Sequence, residues 1–313
     1  MSPVAVNYGL DSLPGDGKRR AVSIGKFDGV HRGHRQVIAQ LTSMAGKAEV
    51  TVITFDRHPY ATLKPGSEPT PILSDSQKIE LLAAAGVQRV VILPFDEELS
   101  ALSHEDFSRI VLAEGLSSSV VLVGADFRYG HGGEGTIETL REEGDHWGFR
   151  VDVVADVCEA EGERVSSTMI RGLLAEGKVQ AVRGLLNRYH SVRGEVGHGF
   201  ERGRVLGYPT ANLRENIEGF LPADGVYATR VIHKGMTYGA ATSLGVNPTF
   251  GDVNERTLES HLLDVTLDLY GDTVTIEFVD FIRGMQKFPS PEALAAQMAR
   301  DEEVIRGILS SLS

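Results

Sequence analysis

The chain has 313 residues, and its 31 lysine and arginine residues against 43 aspartate and glutamate residues give a formal net charge of −12. This acidic balance argues against broad binding to nucleic acid or to an anionic membrane. The single cysteine, Cys158, excludes a disulfide framework and fits a reducing cytoplasm. We find no signal peptide and no long apolar run, so we expect neither export nor a membrane span.

The first half of the chain alternates apolar runs of strand length with helical patterns. Strands are predicted at residues 21–24, 50–55, 90–93, 120–123 and 151–154. Helices are predicted at residues 36–45, 75–85, 104–113 and 137–147. Such alternation predicts βαβ units and a Rossmann-like parallel sheet, with ligands bound at the carboxyl ends of the strands.

The segment from Gly25 to His34 reads G-K-F-D-G-V-H-R-G-H and lies where the first strand turns into the first helix. At such a turn, backbone N–H groups and the positive end of the helix dipole face a ligand. His31 and His34 are three residues apart, so within a helix they would share one face. An H-x-x-H pair alone usually has no function. Together with the strand, the glycines and Asp28, it predicts phosphate chemistry, in which imidazole donors neutralise developing charge.

This segment resembles the adenylyltransferase half of the prokaryotic bifunctional riboflavin kinase/FAD synthetases, a branch of the H-x-G-H nucleotidyltransferases. The resemblance implies that His31 and His34 stabilise the transferring and leaving phosphates. It also implies that nucleotide is bound by Gly25, Phe27 and Asp28.

Two further strand ends carry family patterns. The family's G-x-D-F-R-F-G is matched with Tyr129 in place of the second phenylalanine, by Gly124, Asp126, Phe127, Arg128 and Gly130. The family's D-P-H-P is matched by Asp56, His58 and Pro59. Arg57 replaces its first proline, which bears on backbone shape more than on chemistry. The resemblance implies that both segments shape the pocket for FMN.

Residues 166–171 read S-S-T-M-I-R and look like the family's S-S-T-x-I-R. Alone, S-S-T is a common helix N-cap. Arg171, one turn into the predicted helix, favours an anion site. The resemblance implies that nucleotide phosphates are held by Ser167, Thr168 and Arg171.

The sequence changes character near residue 186, which predicts two domains, 1–186 and 187–313. Beyond this point glycine is frequent, and short β-rich runs recur between turn signals such as Lys234-Gly235. This pattern predicts a small antiparallel barrel or sandwich. A terminal helix follows, with Ser290 as N-cap and Pro291 at its first position.

The second half contains G-R-V-L-G-Y-P-T-A-N, which begins at Gly203 and includes Gly207. It resembles the riboflavin kinase signature. Its glycines would let a loop fold over the ATP phosphates. The Thr210 hydroxyl and the Asn212 amide are hard oxygen donors that suit Mg²⁺.

Glu259 lies in a strand pattern, T-L-E-S-H-L, between Leu258 and Ser260. An isolated glutamate in a strand usually lies on a solvated face. The resemblance instead implies that Glu259 is the base that takes the proton from the ribityl 5′-hydroxyl of riboflavin. We interpret His261 as structural.

The combined expectation is a cytoplasmic enzyme that uses ATP and Mg²⁺ to convert riboflavin to FMN and then FMN to FAD with release of pyrophosphate. We expect no nucleic-acid or membrane partner. Two alternatives stay open from the residues. One is a single-activity enzyme that acts on a pantetheine or choline phosphate beside an inert barrel. The other is a flavin-binding regulator without activity. The intact P-T-A-N segment and Glu259 speak against the first alternative. The intact His31, His34 and Glu259 speak against the second.

Overall fold

The computed structural model describes residues 3–56, 68–154, 165–197, 210–213, 216–246 and 256–312. The chain divides into two compact units, Met1–Ser166 and Ser167–Ser313. Each unit contains one six-stranded sheet in its described part.

The first unit is built on a parallel sheet. Its strands are β1 (Ala5–Tyr8), β2 (Arg20–Ile24), β3 (Glu49–Phe55), β4 (Arg89–Leu93), β5 (Ser118–Gly124) and β6 (Arg150–Val154). They lie in the order β1-β4-β3-β2-β5-β6, and every pair is parallel. All five residues of β2 are buried, as expected for a central parallel strand covered on both faces. The predicted Rossmann-like parallel sheet is confirmed.

The helices of this unit begin at well-formed caps. They are α1 (Arg32–Ala45), α2 (Asp75–Ala84), α3 (Glu97–Ala101), α4 (His104–Asp106) with a π-helix that continues it (Phe107–Gly115), and α5 (Ile137–Trp147). Ser74 and Thr136 form capping boxes at α2 and α5. The helix predicted from residue 36 begins at Arg32, because His31 caps it.

The second unit is built on an antiparallel sheet. It begins with α6 (Ser167–Ala175) and α7 (Val179–Leu186). Its strands are β7 (His190–Glu195), β8 (Thr210–Leu213), β9 (Gly225–His233), β10 (Met236–Gly245), β11 (Thr257–Leu262) and β12 (Thr273–Arg283). Their order is β7-β12-β9-β10-β11-β8, and α8 (Pro291–Ser310) closes the unit. The predicted antiparallel fold with a terminal helix is confirmed, including the Ser290 cap.

Two features bend and fill this sheet. Register shifts at Phe278/Asp280 and Phe281/Arg283 break the β12–β9 ladder, and such bulges bend a strand and increase its twist. Inside the sheet, the buried hydroxyl of Thr242 lies 2.6 Å from that of Thr229 and 2.7 Å from that of Ser260. These three buried hydroxyls therefore satisfy one another.

Helices α6 and α7 pack within the second unit. The backbone N–H of Ala223 donates to the Leu174 carbonyl at 2.9 Å, and α7 buries Val182, Leu185 and Leu186. The units are defined by packing alone. The predicted division of the two activities between residues 186 and 187 stays a prediction.

Candidate active sites

The candidate residues of the first unit lie at the carboxyl ends of three neighbouring strands. Strands β3, β2 and β5 are adjacent and parallel, so their ends lie at the same edge of the sheet. Asp56 follows β3, the turn to His31 follows β2, and the loop beginning at Gly124 follows β5. This edge is where an open parallel sheet binds its ligands.

The turn after β2 has an unusual backbone. Phe27 and Val30 are buried and have positive φ angles of 48° and 39°. Such angles are uncommon outside glycine, and they concentrate at functional sites. Hydrogen bonds hold the turn: Gly25 N–H donates to the Ile53 carbonyl, and Val30 N–H donates to the Phe27 carbonyl, both at 3.0 Å.

The two histidines lie together in the first turn of α1, which follows this bent segment. The rings of His31 and His34 are stacked, with centroids 3.6 Å apart and planes 20° apart. His31 is the N-cap of α1, and its Nδ1 accepts from the His34 N–H at 3.4 Å. When Nδ1 accepts, a neutral imidazole carries its proton on Nε2. His31 can therefore offer Nε2–H to a phosphate oxygen at the N-terminus of the helix.

Two aspartates support the neighbouring segments. Asp28 Oδ1 accepts from the backbone N–H of Ile72 at 2.9 Å. Asp56 Oδ1 accepts from the backbone N–H of Phe95 at 3.0 Å. Each carboxylate thus fixes a segment that follows another strand or precedes another helix.

The loop after β5 closes on itself. Phe127 N–H donates to the Gly124 carbonyl at 3.1 Å, and Tyr129 exchanges backbone hydrogen bonds with Gly135 at 3.3 and 2.9 Å. Gly130 has a φ of 74°, and a Cβ there would lie 2.6 Å from the His104 backbone nitrogen. Arg128 and Asp126 are exposed at the surface of this loop.

The S-S-T-x-I-R segment belongs to the second unit. Helix α6 begins at Ser167, and Arg171 Nη2 donates to the Thr168 hydroxyl at 3.4 Å. The hydroxyl and the guanidinium therefore lie on the same side of the first helical turn.

The remaining candidates of the second unit meet on the β8–β11 ladder. Asn212 lies directly opposite Glu259, and Thr210 lies directly opposite His261. Residues opposite each other share a face of the sheet, as do residues two apart in a strand. These four side chains therefore share one face, whereas Leu258, Ser260 and Leu262 are buried on the other.

The oxygen atoms of this face fit a hard cation. Asn212 Nδ2 donates to the Thr210 carbonyl at 3.0 Å and contacts the Thr210 hydroxyl at 3.1 Å. The amide is thereby held beside the Thr210 hydroxyl. An amide oxygen, a hydroxyl and a carboxylate form the donor set that Mg²⁺ prefers. Among the described residues, no group of three His, Cys, Asp or Glu side chains could hold a metal ion.

Four predicted site residues lie outside the described residues: His58, Pro59, Gly203 and Gly207.

The structure also places polar side chains that the sequence reasoning missed. Glu143 of α5 is buried and accepts hydrogen bonds beside the loop after β5. Tyr129 stands where the family pattern has phenylalanine. Because a buried hydroxyl needs a hydrogen-bond partner, this tyrosine could have indicated a buried acceptor nearby. In the second unit, His261 Nε2 lies 3.2 Å from Glu302 Oε1 on α8.

Paired histidines at a strand–turn–helix site on a parallel sheet define the first unit as a nucleotidyltransferase unit. The second unit of the chain is antiparallel and presents oxygen-bearing side chains on the β8–β11 ladder. Comparisons with known proteins agree with this class. The FAD synthetase family model matches residues 14–169, and the riboflavin kinase family model matches residues 186–309.

Whole-length relatives carry both domains. The chain is 35% identical over 304 residues to a bifunctional riboflavin kinase/FMN adenylyltransferase of Escherichia coli K12, covering 96% of this chain and 95% of that protein. It is 34% identical over 296 residues to the protein of the same name in Listeria monocytogenes, covering 94% and 93%. The chain therefore belongs to the bifunctional riboflavin kinase/FMN adenylyltransferase family, and it is an enzyme with both domains.

A solved structure shares the fold over the whole chain. A crystal structure titled a macrolide-efflux protein from Streptococcus pneumoniae matches with a TM-score of 0.87 and 31% identity, covering 97% of this chain and 99% of that chain. In the part of the chain that the structure describes, no helix combines the length and the apolar character needed to cross a membrane.

Proposed function

We propose that the residues singled out above carry the two activities in sequence, with ATP as the second substrate of each. Riboflavin is phosphorylated to FMN in residues 187–313, and FMN is adenylylated to FAD in residues 1–186. The observation that carries this proposal is the pairing of His31 with His34 in one domain and of Glu259 with Asn212 in the other.

In the kinase reaction, the nucleophile is a neutral hydroxyl. Glu259 takes the proton of the ribityl 5′-hydroxyl as its oxygen bonds to the γ-phosphorus of ATP and the bond to the bridging oxygen of ADP breaks. Thr210 and Asn212 would hold Mg²⁺, which supplies charge neutralisation on the ATP phosphates when bound. The neighbouring position of Asn212 and Glu259 supports this assignment, because the cation and the base must act on one substrate.

In the adenylyl transfer, the nucleophile is already an anion. An FMN phosphate oxygen bonds to the α-phosphorus of ATP, and pyrophosphate leaves. No base is required. His31 and His34 stabilise the charge that develops on the transferring and leaving phosphates, as preorganised donors do in other group transfers. The stacking of the two rings at the N-terminus of α1 supports this role, since the helix dipole adds to their effect.

The loop after β5 and the S-S-T-x-I-R helix complete the proposal. Gly124, Phe127 and Gly130 shape the FMN pocket together with Asp56. Ser167, Thr168 and Arg171 hold nucleotide phosphates at the start of α6. We further propose a cytoplasmic location, because the single cysteine fits a reducing compartment.

The test is direct. The pure protein is incubated with riboflavin, ATP and Mg²⁺, and the flavins are separated over time. We expect FMN to appear first and FAD to follow, and we expect FAD at once when FMN is supplied. Removal of Mg²⁺ with a chelator should stop FMN formation. Absence of both FMN and FAD would favour the single-activity alternative, in which a pantetheine or choline phosphate is the acceptor. Bound but unchanged riboflavin would favour the regulator.

A further inference from the structure

A buried carboxylate lies beneath the loop that follows β5. Glu143 of α5 is 9% exposed. It accepts a hydrogen bond from the Tyr129 hydroxyl at 2.5 Å, and its other oxygen lies 2.5 Å from Nδ1 of His104. The hydroxyl of Ser108 also donates to it. The loop after β5 and the helix formed by α4 and its π-helical continuation thus meet on one side chain.

These contacts are needed to keep the carboxylate buried. A carboxylate removed from water is costly unless hydrogen bonds or an ion pair compensate it. Glu143 has compensation from both, because its hydrogen bond raises the pKa of His104 and favours the imidazolium form. Burial, followed by the bond to Glu143, raises the pKa of the Tyr129 hydroxyl, which therefore stays a donor.

The cluster determines where the loop lies. The Tyr129 ring stacks on Phe127, with centroids 5.5 Å apart and planes 13° apart. A Cβ at Gly135 would lie 2.5 Å from the Tyr129 ring and 2.8 Å from the His104 Cβ. Tyr129 is thus held by its hydroxyl, by its ring and by its backbone pairing with Gly135. Phe127 is half-buried and stacks on the Tyr129 ring, so the position of Tyr129 sets the position of Phe127.

We propose that Glu143 is a positioning residue for the FMN pocket. Through its bond to Tyr129 it fixes Phe127 and the 124–135 loop to helix α5. The inference rests on the proposed function, because it takes this loop as the FMN pocket. The family pattern has phenylalanine at position 129, so the hydroxyl-to-carboxylate bond is a feature of this chain. Glu143 itself does not touch the reacting atoms.

A specific kinetic signature follows. Loss of the anchor frees the loop but leaves the histidine turn intact, because that turn is held by its own bonds to Ile53 and Phe27. The KM for FMN should therefore rise while the KM for ATP and kcat of adenylyl transfer change little. A general loss of stability would lower kcat or raise both KM values together.

The experiment uses the full-length enzyme with FMN, ATP and Mg²⁺. For Glu143→Leu we expect the FMN KM to rise about tenfold, the scale expected when a buried donor loses its acceptor. In the double variant Glu143→Leu/Tyr129→Phe the stranded hydroxyl is absent, so part of the increase should be reversed. Glu142→Gln, an exposed neighbour on the same helix, is the matched control and should match the wild type. Thermal unfolding of each preparation reports that the first unit has folded, and riboflavin kinase activity reports the same for the second unit.

Several outcomes overturn the inference. An unchanged FMN KM in Glu143→Leu would do so, and so would an equal rise in both KM values or no rescue by the second substitution. If Glu143→Leu does not fold, Tyr129→Phe decides, since it removes the hydroxyl bonded to Glu143 but keeps the ring, and its FMN KM must still rise severalfold. A wild-type enzyme that fails to adenylylate FMN would overturn the proposed function as well, so the two failures are distinguishable.

Discussion

In the first unit the candidate site depends on unusual backbone angles, whereas in the second it depends on the register of two strands. Phe27 and Val30 adopt positive φ angles in the turn that leads into α1, where His31 stacks on His34. Asn212 and Glu259 come together because β8 and β11 pair in one register and alternate side chains share a face. One site is strained and local, and the other is regular and joins residues far apart in sequence.

The chemistry differs in the same way. A phosphate nucleophile needs charge stabilisation only, and two donors at a helix N-terminus can provide it. A hydroxyl nucleophile also needs a base near the metal-bound phosphates. Two directly opposite residues of a β-ladder have Cβ atoms about 5 Å apart, so such a ladder can hold a carboxylate beside an amide. Substitutions that separate the two activities test this difference.

The largest effect is expected from Glu259→Gln, which keeps the shape of the side chain but removes the basic oxygen. Riboflavin phosphorylation should fall by about 10²–10⁴, the contribution of a positioned base. FAD formation from supplied FMN should be unchanged, because that reaction has no need of a base. Both rates are measured on one preparation, with exposed Glu303→Gln as control. Retained kinase turnover would leave Glu259 as an ordinary strand residue.

The converse substitutions are His31→Ala and His34→Ala. Each removes a donor to the developing phosphate charge, so adenylyl transfer should fall by about 10²–10³ while FMN accumulates from riboflavin. His31 also caps α1, so His31→Asn is the sharper variant, since asparagine is a good N-cap without an imidazole. Exposed His146→Ala serves as the control. Near-normal FAD formation by the double variant His31→Ala/His34→Ala would contradict the assignment.

The folds of both units could be predicted where the pattern was long and periodic. Helix α5 was predicted at its observed bounds, because Thr136 and Gly148 mark its two ends. Strand β1 was missed, because A-V-N-Y has only four residues and Asn7 interrupts its apolar pattern. Helix α3 was missed for a similar reason: its five residues depend on the Asp96 cap and on tertiary contacts of Leu99.

The candidate sites could be predicted only in part. The motif residues were found because their types and spacing carry the chemistry, and strand ends place them at one edge. Glu143 was not found, because in E-E-G it reads as one of two solvated helix residues, and only the tertiary packing buries it while Glu142 stays exposed. The positive φ angles of Phe27 and Val30 were equally hidden, since neither residue favours them.

A smaller effect is expected from Asn212→Ala, which removes one proposed oxygen partner of Mg²⁺. The Mg²⁺ concentration for half-maximal kinase rate should rise by about 10–100-fold, the range seen when residues of a metal site are altered. High Mg²⁺ should recover most of the rate, and adenylyl transfer should continue. The buried Asn212 amide also ties to Thr210, so thermal unfolding is measured alongside. Equal loss of both activities without metal rescue would indicate destabilisation instead.

The smallest expected effect is on stability, and it compares one histidine in each unit whose contributions to the free energy of unfolding change with pH in opposite directions. His190 of the second unit is fully buried and lies 2.6 Å from the Phe220 carbonyl through Nε2. Burial lowers its pKa to about 4, and Arg188 adds to the effect. His104 of the first unit has a raised pKa because of its bond to Glu143.

The signs follow from which state binds the proton more tightly. The unfolded chain protonates His190 near pH 6.5 while the folded unit does not, so the stability from this group is full above pH 6.5 and is lost as the pH falls towards 4. Between pH 7.5 and 5.5 the loss is about 1 kcal/mol. His104 behaves in the opposite way: its contribution is full below pH 6.5 and is lost as the pH rises through its folded pKa. Urea unfolding at both pH values, followed separately for the two units, measures this. His190→Gln should reduce the change in the free energy of unfolding with pH in the second unit alone. The exposed control His146→Gln should leave this pH dependence unchanged in both units. An unaltered pH dependence in His190→Gln would show that His190 is not the group responsible.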